Sequence, residues 1–202
     1  MLSEETKRLI SYPLITAGAV LLLLGTREVI EPLLGQKAAA RTFDEATAVV
    51  IPAGTKPAPV QRGDTVGKLT IPRLGATYYV MEGDHEEELR RGPGHLRGSA
   101  MPGTQGNCII AGHRDTHFRI LKDIQKGDDI LVETKNGQYL YRVTSMRVVP
   151  AGDTAPLKPT SRAELNLITC FPFYYVGNAP KRFVVEALLA ARVSATGEPV
   201  VE

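Results

Sequence analysis

The chain has 202 residues, 43% apolar and 23% charged, enough to bury one ordinary domain and leave a further segment over. A formal net charge of +2 with no block of Lys or Arg offers no track for a phosphate backbone, so no nucleic acid partner is expected. Two cysteines exclude a disulfide scaffold and a Cys-rich zinc site.

The first element is LISYPLITAGAVLLLLG, residues 9–25, which carries no charge. At about 1.5 Å per residue it gives roughly 25 Å of helix, near the lower limit for crossing a bilayer core. Lys7 and Arg8 precede it, so residues 1–8 are expected on the cytoplasmic side. A cleaved signal peptide would want small residues after the run. Thr26, Arg27 and Glu28 stand there instead, and Ala38-Ala39-Ala40 lies well downstream. A buried soluble helix is the remaining reading. Pro13 is tolerable near the cytoplasmic end of a span. The expectation is an uncleaved single-pass signal anchor in the cell membrane, with everything after it extracytoplasmic.

Residues 26–64 read as a stalk. REVIEPLLGQKAAARTFDEATAVV mixes helix formers with polar residues, and IPAGTKPAPVQRGD has the Pro and Gly density of a linker. From Thr65 the texture changes to short β-branched or aromatic runs bounded by Gly, GKLTIPRLG and TYYVMEG. DHEEELRRG predicts a short helix, with Asp84 to cap it and Gly92 to stop it. NCIIAGH is a continuous apolar run, the pattern of a strand buried on both faces. DDILVET and QYLYRVTSMRVV flank Lys135-Asn136-Gly137 and predict a hairpin with Asn-Gly at its tip. ELNLITC and RFVVEALLA are the last strands. Seven or eight short strands with little helix predict an all-β barrel or sandwich, and spacing does not choose between them.

The candidates for chemistry are few. His113 and His117 stand four apart, as zinc-protease histidines do on a helix. Here a strand pattern precedes them, Gly112 abuts the first, and the HExxH glutamate is missing. His85 and His95 read as solvated or hydrogen-bonded loop histidines. Cys170 ends the strand LITC and has three readings: a small buried hydrophobe, half of a disulfide with Cys108, or a thiol nucleophile. A nucleophilic thiol needs a neighbouring His or cation, and acyl transfer needs a donor where the oxyanion forms. His113 ends one apolar strand, and Arg182 opens another after the cysteine.

Together NCIIAGHRDTHF, LNLITC and APKRFVV resemble the sortases, cysteine transpeptidases of bacterial surfaces. The family pattern is a His after Ala-Gly at a strand end, a Thr-Leu-x-Thr-Cys strand, and an Arg on the next strand. Here it reads Ala111-Gly112-His113, Leu167-Ile168-Thr169-Cys170 and Arg182, in the same chain order. GPGHLRGSAMPGTQGN resembles the family's Gly-rich approach to the His strand, and GHRDTHF is most like class D. One position departs: Asn166 stands where the family has Thr.

The resemblance covers residues 67–189 and implies an eight-stranded sortase-type β-barrel with short helices, over residues 65–202, behind the transmembrane helix and linker. It implies Cys170 as nucleophile, Arg182 as the cation that holds substrate or oxyanion, and His113 as acid and base. The implied reaction is cleavage of an LPxTG-like sorting signal in a secreted protein through a thioester. Transfer to an amine of cell-wall precursor or to a pilin lysine follows. No cofactor or metal is implied, although some sortases respond to calcium. A cysteine hydrolase with the same residues, or a non-catalytic peptide-binding barrel, are the alternatives. If His113 and Cys170 are neighbours, Cys108 lies about 16 Å down the strand and outside disulfide range. The Pro-rich segment 150–164 is expected to help read the signal. Phe171, Phe173, Tyr174 and Tyr175 either line the groove or pack beneath it.

Overall fold

The computed structural model describes residues 4–48, 60–193 and 199–200. Eleven elements follow in chain order. They are α1 (Glu4–Ala48), β1 (Thr65–Ile71), β2 (Ala76–Glu82), α2 (Glu86–Arg91), β3 (Gly94–His95), β4 (Gly106–Gly112), β5 (Asp129–Thr134), β6 (Gly137–Pro150), β7 (Ala163–Phe171), β8 (Lys181–Val193) and β9 (Pro199–Val200).

The strands form one sheet in the order β6-β5-β1-β2-β3-β4-β7-β8-β9. Pairing of β6 with β8 bends it round, so that β1 to β8 make the closed eight-stranded barrel. The two-residue β9 adds to the end of β8. Most neighbours are antiparallel; β2–β3 and β4–β7 are parallel. The β4–β7 pair matters most, because parallel strands end at the same side of a barrel.

Alternation explains the edges of the core. In β1, Leu69 and Ile71 point inward, while Lys68 and Thr70 are only partly buried. In β4, Asn107 to Ile110 are all buried, as the continuous apolar run predicts. Leu69, Ile110, Ile130, Leu165 and Leu167 are fully enclosed; burial of each such side chain contributes about 1.5–3 kcal/mol. Tyr141 is equally buried, and its hydroxyl accepts from Gly103 N–H at 2.7 Å, so its polar tip is not left unpaired.

Three local readings change. The cap of α2 is His85, in extended backbone and without a side-chain bond, rather than Asp84; Gly92 does follow the helix. The β5–β6 hairpin pairs Thr134 with Gly137, so Lys135 and Asn136 are its tip, and the positive φ of 138° falls on Gly137. His95 is a buried strand residue rather than a loop one. Its Nδ1 lies 2.7 Å from Glu82 Oε2, and its Nε2 lies 2.9 Å from Ser99 Oγ.

The larger difference concerns residues 26–64. The chain is helical without interruption to Ala48, and the second half of α1 lies on the barrel. Gly35, Gln36, Ala39 and Phe43 recur at helical spacing on the docked face. Ala39 and Phe43 are buried, and the Phe43 ring meets Tyr79 edge-on at 5.8 Å. The Gln36 amide accepts from Tyr79 N–H at 2.7 Å and donates to Tyr79 C=O at 3.0 Å and Arg91 C=O at 2.9 Å. It thus pairs with a strand backbone as another strand would. A Cβ on Gly35 would sit 2.7 Å from Arg91 Cα, so glycine sets the close approach there. Most of the Pro-rich half of the expected linker, residues 49–59, lies outside the described residues.

At the other end of α1, Leu9, Leu14, Ile15, Leu21, Leu22 and Leu23 stand exposed. Among the described residues no helix is long and apolar enough to cross a membrane. The span expected at residues 9–25 therefore gains no support from that criterion.

Candidate active site

The site grows from the parallel register of β4 and β7. Gly112 pairs with Thr169 at the last step, and the Thr169 hydroxyl donates to Gly112 C=O at 2.7 Å, locking the two strand ends together. The next residues along each strand are His113 and Cys170. They therefore emerge side by side, one strand spacing apart. Gly112 has a steric reason: a Cβ there would meet the Phe118 ring at 2.7 Å. The Phe118 N–H bonds back to His113 C=O at 3.0 Å and closes the turn that presents the imidazole.

The third residue comes from the other flank. β7 and β8 run antiparallel, and their register sets Cys170 directly opposite Arg182. Arg182 Nη1 donates to Ala179 C=O at 3.1 Å and to Lys181 C=O at 2.9 Å, which fixes one arm of the guanidinium. His113, Cys170 and Arg182 then line one cleft of about 240 Å³, shared with Arg114, Asp115 and the turn at Asn178. All three predicted residues are brought together, and all three keep partial access to solvent.

The other cysteine is elsewhere. Cys108 pairs in register with Leu165, five residues before Cys170, and both cysteines are free. Burial pushes the Cys108 thiol well above its ordinary range, with Glu82 adding to the effect. It is an apolar filler of the core.

The two neighbouring histidines part company as well. His117 opens a 3₁₀ turn, His117–Asp123, and is almost wholly buried. Burial lowers its pKa to about 4, and the His113 charge adds to the shift. Among the described residues no three metal-binding side chains converge.

Of the loops, the turn Gly177, Asn178 and Ala179 lines the cleft, while residues 156–158 are held at the other end of β4 and β7. The aromatic run after Cys170 divides its work. Phe171 and Phe173 pack on each other at 5.8 Å and on Phe183 at 6.3 and 5.4 Å. Tyr174 and Tyr175 face solvent, beneath Arg119 and Arg114 respectively. Arg114 Nη2 also donates to Tyr175 C=O at 2.8 Å and Gly177 C=O at 2.9 Å, which ties this loop to the His113 segment. The segment before β7 is held from inside: Asn107 Nδ2 donates to Pro156 C=O and Lys158 C=O, both at 2.9 Å. Asn166, the departure noted in the cysteine strand, joins the same group, donating to Asn107 Oδ1 at 2.7 Å and Glu164 Oε1 at 2.8 Å.

One neighbour of the site was not visible in the sequence. Glu86, in the first turn of α2, places Oε2 at 3.8 Å from His113 Nε2. The sequence reads this stretch as a short helix and no more, and only the tertiary fold brings Glu86 to the imidazole.

Residues 69–190 match the family model described as the Sortase domain. Sortase D of Bacillus subtilis (strain 168) is 36% identical over 126 residues, covering 62% of this chain and 64% of that protein's length. The chain thus spans less than two thirds of that relative. A Clostridium perfringens Sortase D5 transpeptidase superposes with a TM-score of 0.71 at 26% identity, covering 78% of this chain and 99% of that one. The catalytic domain of B. anthracis SrtD superposes at 0.59 with 28% identity, covering 71% of this chain and 99% of that one.

Proposed function

The chain belongs to the sortase family and is most like its class D members, and from that premise we propose that it is a membrane-anchored cysteine transpeptidase. The observation that carries the reading is the register: Cys170 opposite Arg182 on β8 and beside His113 at the end of β4.

Cys170 Sγ attacks a backbone carbonyl of a sorting-signal peptide, of the LPxTG-like kind, bound in a secreted protein. Negative charge gathers on the carbonyl oxygen, and Arg182 holds it, being permanently charged and already fixed by two backbone carbonyls. His113 gives a proton to the departing amine, and a thioester on Cys170 remains. An incoming amine then loses a proton to His113 as it attacks the thioester, and the thiolate leaves. The accepting amine belongs to cell-wall precursor or to another protein.

Residues 65–202 form the catalytic domain in this reading. Residues 9–25 form the anchor, with residues 1–8 inside. Support comes from the uncharged run and the exposed leucines of α1, with Lys7 and Arg8 ahead of them. Residues 26–64 join the two, their helical part resting on the barrel.

The test is product analysis by mass spectrometry with a sorting-peptide library and candidate amines. Cys170→Ala and His113→Ala should each lose acyl transfer by roughly three orders of magnitude or more, and Arg182→Ala by about 10²–10³-fold. Near-normal turnover by Cys170→Ala would end the proposal. Free acid as the sole product at saturating amine would make the enzyme a hydrolase instead.

A further inference from the structure

His113 stands between two clefts of opposite character. On one side lies the cleft that holds Cys170, with the guanidinium groups of Arg114 and Arg182. On the other lies a smaller cleft of about 120 Å³ between α1 and α2, with Glu31, Glu86 and Arg90 on its walls; Asp115 borders both. Glu86 is divided between two partners. Its Oε1 accepts from Arg90 Nε at 3.1 Å, and its Oε2 lies 3.8 Å from His113 Nε2. Arg90 in turn has Nη1 at 3.8 Å from Glu31 Oε2 on α1.

Acyl transfer makes a specific demand on His113. It must carry a proton when the amine departs, in a cleft where two fixed cations oppose a third. A carboxylate on the far face of the ring favours the charged form and gives its N–H a direction. The groups that face His113 are Cys170 on β7, Arg182 on β8, Arg114, Asp115 and His117 on its own segment, Glu86 and Arg90 on α2, and Glu31 on α1. Of the carboxylates, Glu86 is the one within ion-pair distance.

We propose that Glu86 is a positioning residue for His113: it turns the imidazole toward α2 and favours its protonated state during departure of the amine, while Arg90 holds Glu86 in place. The proposal rests on the transpeptidase reading, and its first measurement needs no peptide, so the two can fail separately.

The experiment uses the full chain in detergent micelles. The His113 ring is followed by NMR across pH in Cys170→Ala protein, which removes the coupled thiol, with and without Glu86→Gln. Glu86 is an exposed position, so the amide isostere keeps the fold. The titration midpoint should move to lower pH in Glu86→Gln, the direction that loss of a neighbouring carboxylate gives. In the Cys170-containing enzyme, Glu86→Gln should lower kcat about three-fold and leave KM unchanged. Glu86→Gln should add nothing in a His113→Ala background, where both partners of the pair are then gone. A midpoint that stays or rises overturns the proposal. So does a kcat loss of the same size with His113 absent, or a shifted midpoint with unchanged kcat.

Discussion

His117 sits in the core uncharged, with its Nε2 buried and unpaired. Burial, followed by the His113 charge, lowers its pKa to about 4, against 6.5 for an ordinary histidine. An unfolded chain therefore takes up a proton there that the folded one refuses. Stability from this group is complete above pH 6.5, falls as pH drops toward 4, and levels off below that; the whole swing is about 3 kcal/mol. His117→Leu should flatten the part of the melting-temperature profile between those limits, with carboxylate titrations common to both proteins. Parallel profiles for the two would mean that His117 is not held neutral. At this scale the run endings alone leave Cys170 three readings; the resemblance of three motifs in one chain order is what leads to the expectation that His113, Cys170 and Arg182 meet, and the strand registers place Cys170 opposite Arg182 and Gly112 beside Thr169. Glu86 is not legible, because nothing in EEELRR distinguishes a glutamate that meets solvent from one that meets an imidazole. The burial of His117 is hidden for a similar reason: its neighbours Thr116 and Arg119 are exposed, and Tyr78 reaches its ring from β2.

The strands of the barrel are legible as elements because alternation and Gly boundaries repeat along the chain. The docked half of α1 is not. Gly25, Pro32 and Gly35 look like breakers, and among the described residues the docked face carries only Ala39 and Phe43 as buried apolar residues. What seats the helix is a side-chain amide paired with a strand backbone, and propensity does not report such a contact. Gln36→Ala should leave the Tyr79 N–H and C=O without their partner and cost about 1–3 kcal/mol. The check is hydrogen exchange at the Tyr79 amide, which should lose protection while amides of β4 and β7 keep theirs. Unchanged protection at Tyr79 would show that the pairing contributes nothing. A valine at Gly35 should have a similar effect by lifting the helix from Arg91. With α1 gone, the part of β2 before Met81, which β3 does not reach, would be open to another strand, so a domain cut after Ala48 should self-associate more than the full chain.

For the whole molecule, the proposed anchor makes one plain prediction. Deletion of residues 1–25 should move the protein from the membrane fraction to the soluble fraction and leave turnover of soluble peptides within a few-fold. Retention of the deleted form on membranes would refute the assignment of residues 9–25. α1 runs unbroken from that segment to Glu31 and Pro32, which share a cleft with His113. Glu31 lies six helical steps beyond Gly25, a rise of about 9 Å. If the proposed anchor lies in the bilayer, the helix is a measuring rod that sets the height of the His113 cleft above the lipid. Under the proposed function, a client whose tail is still embedded in lipid would need about three extended residues to span that 9 Å rise. Spacer length in the client, rather than side-chain identity alone, becomes a criterion of selection.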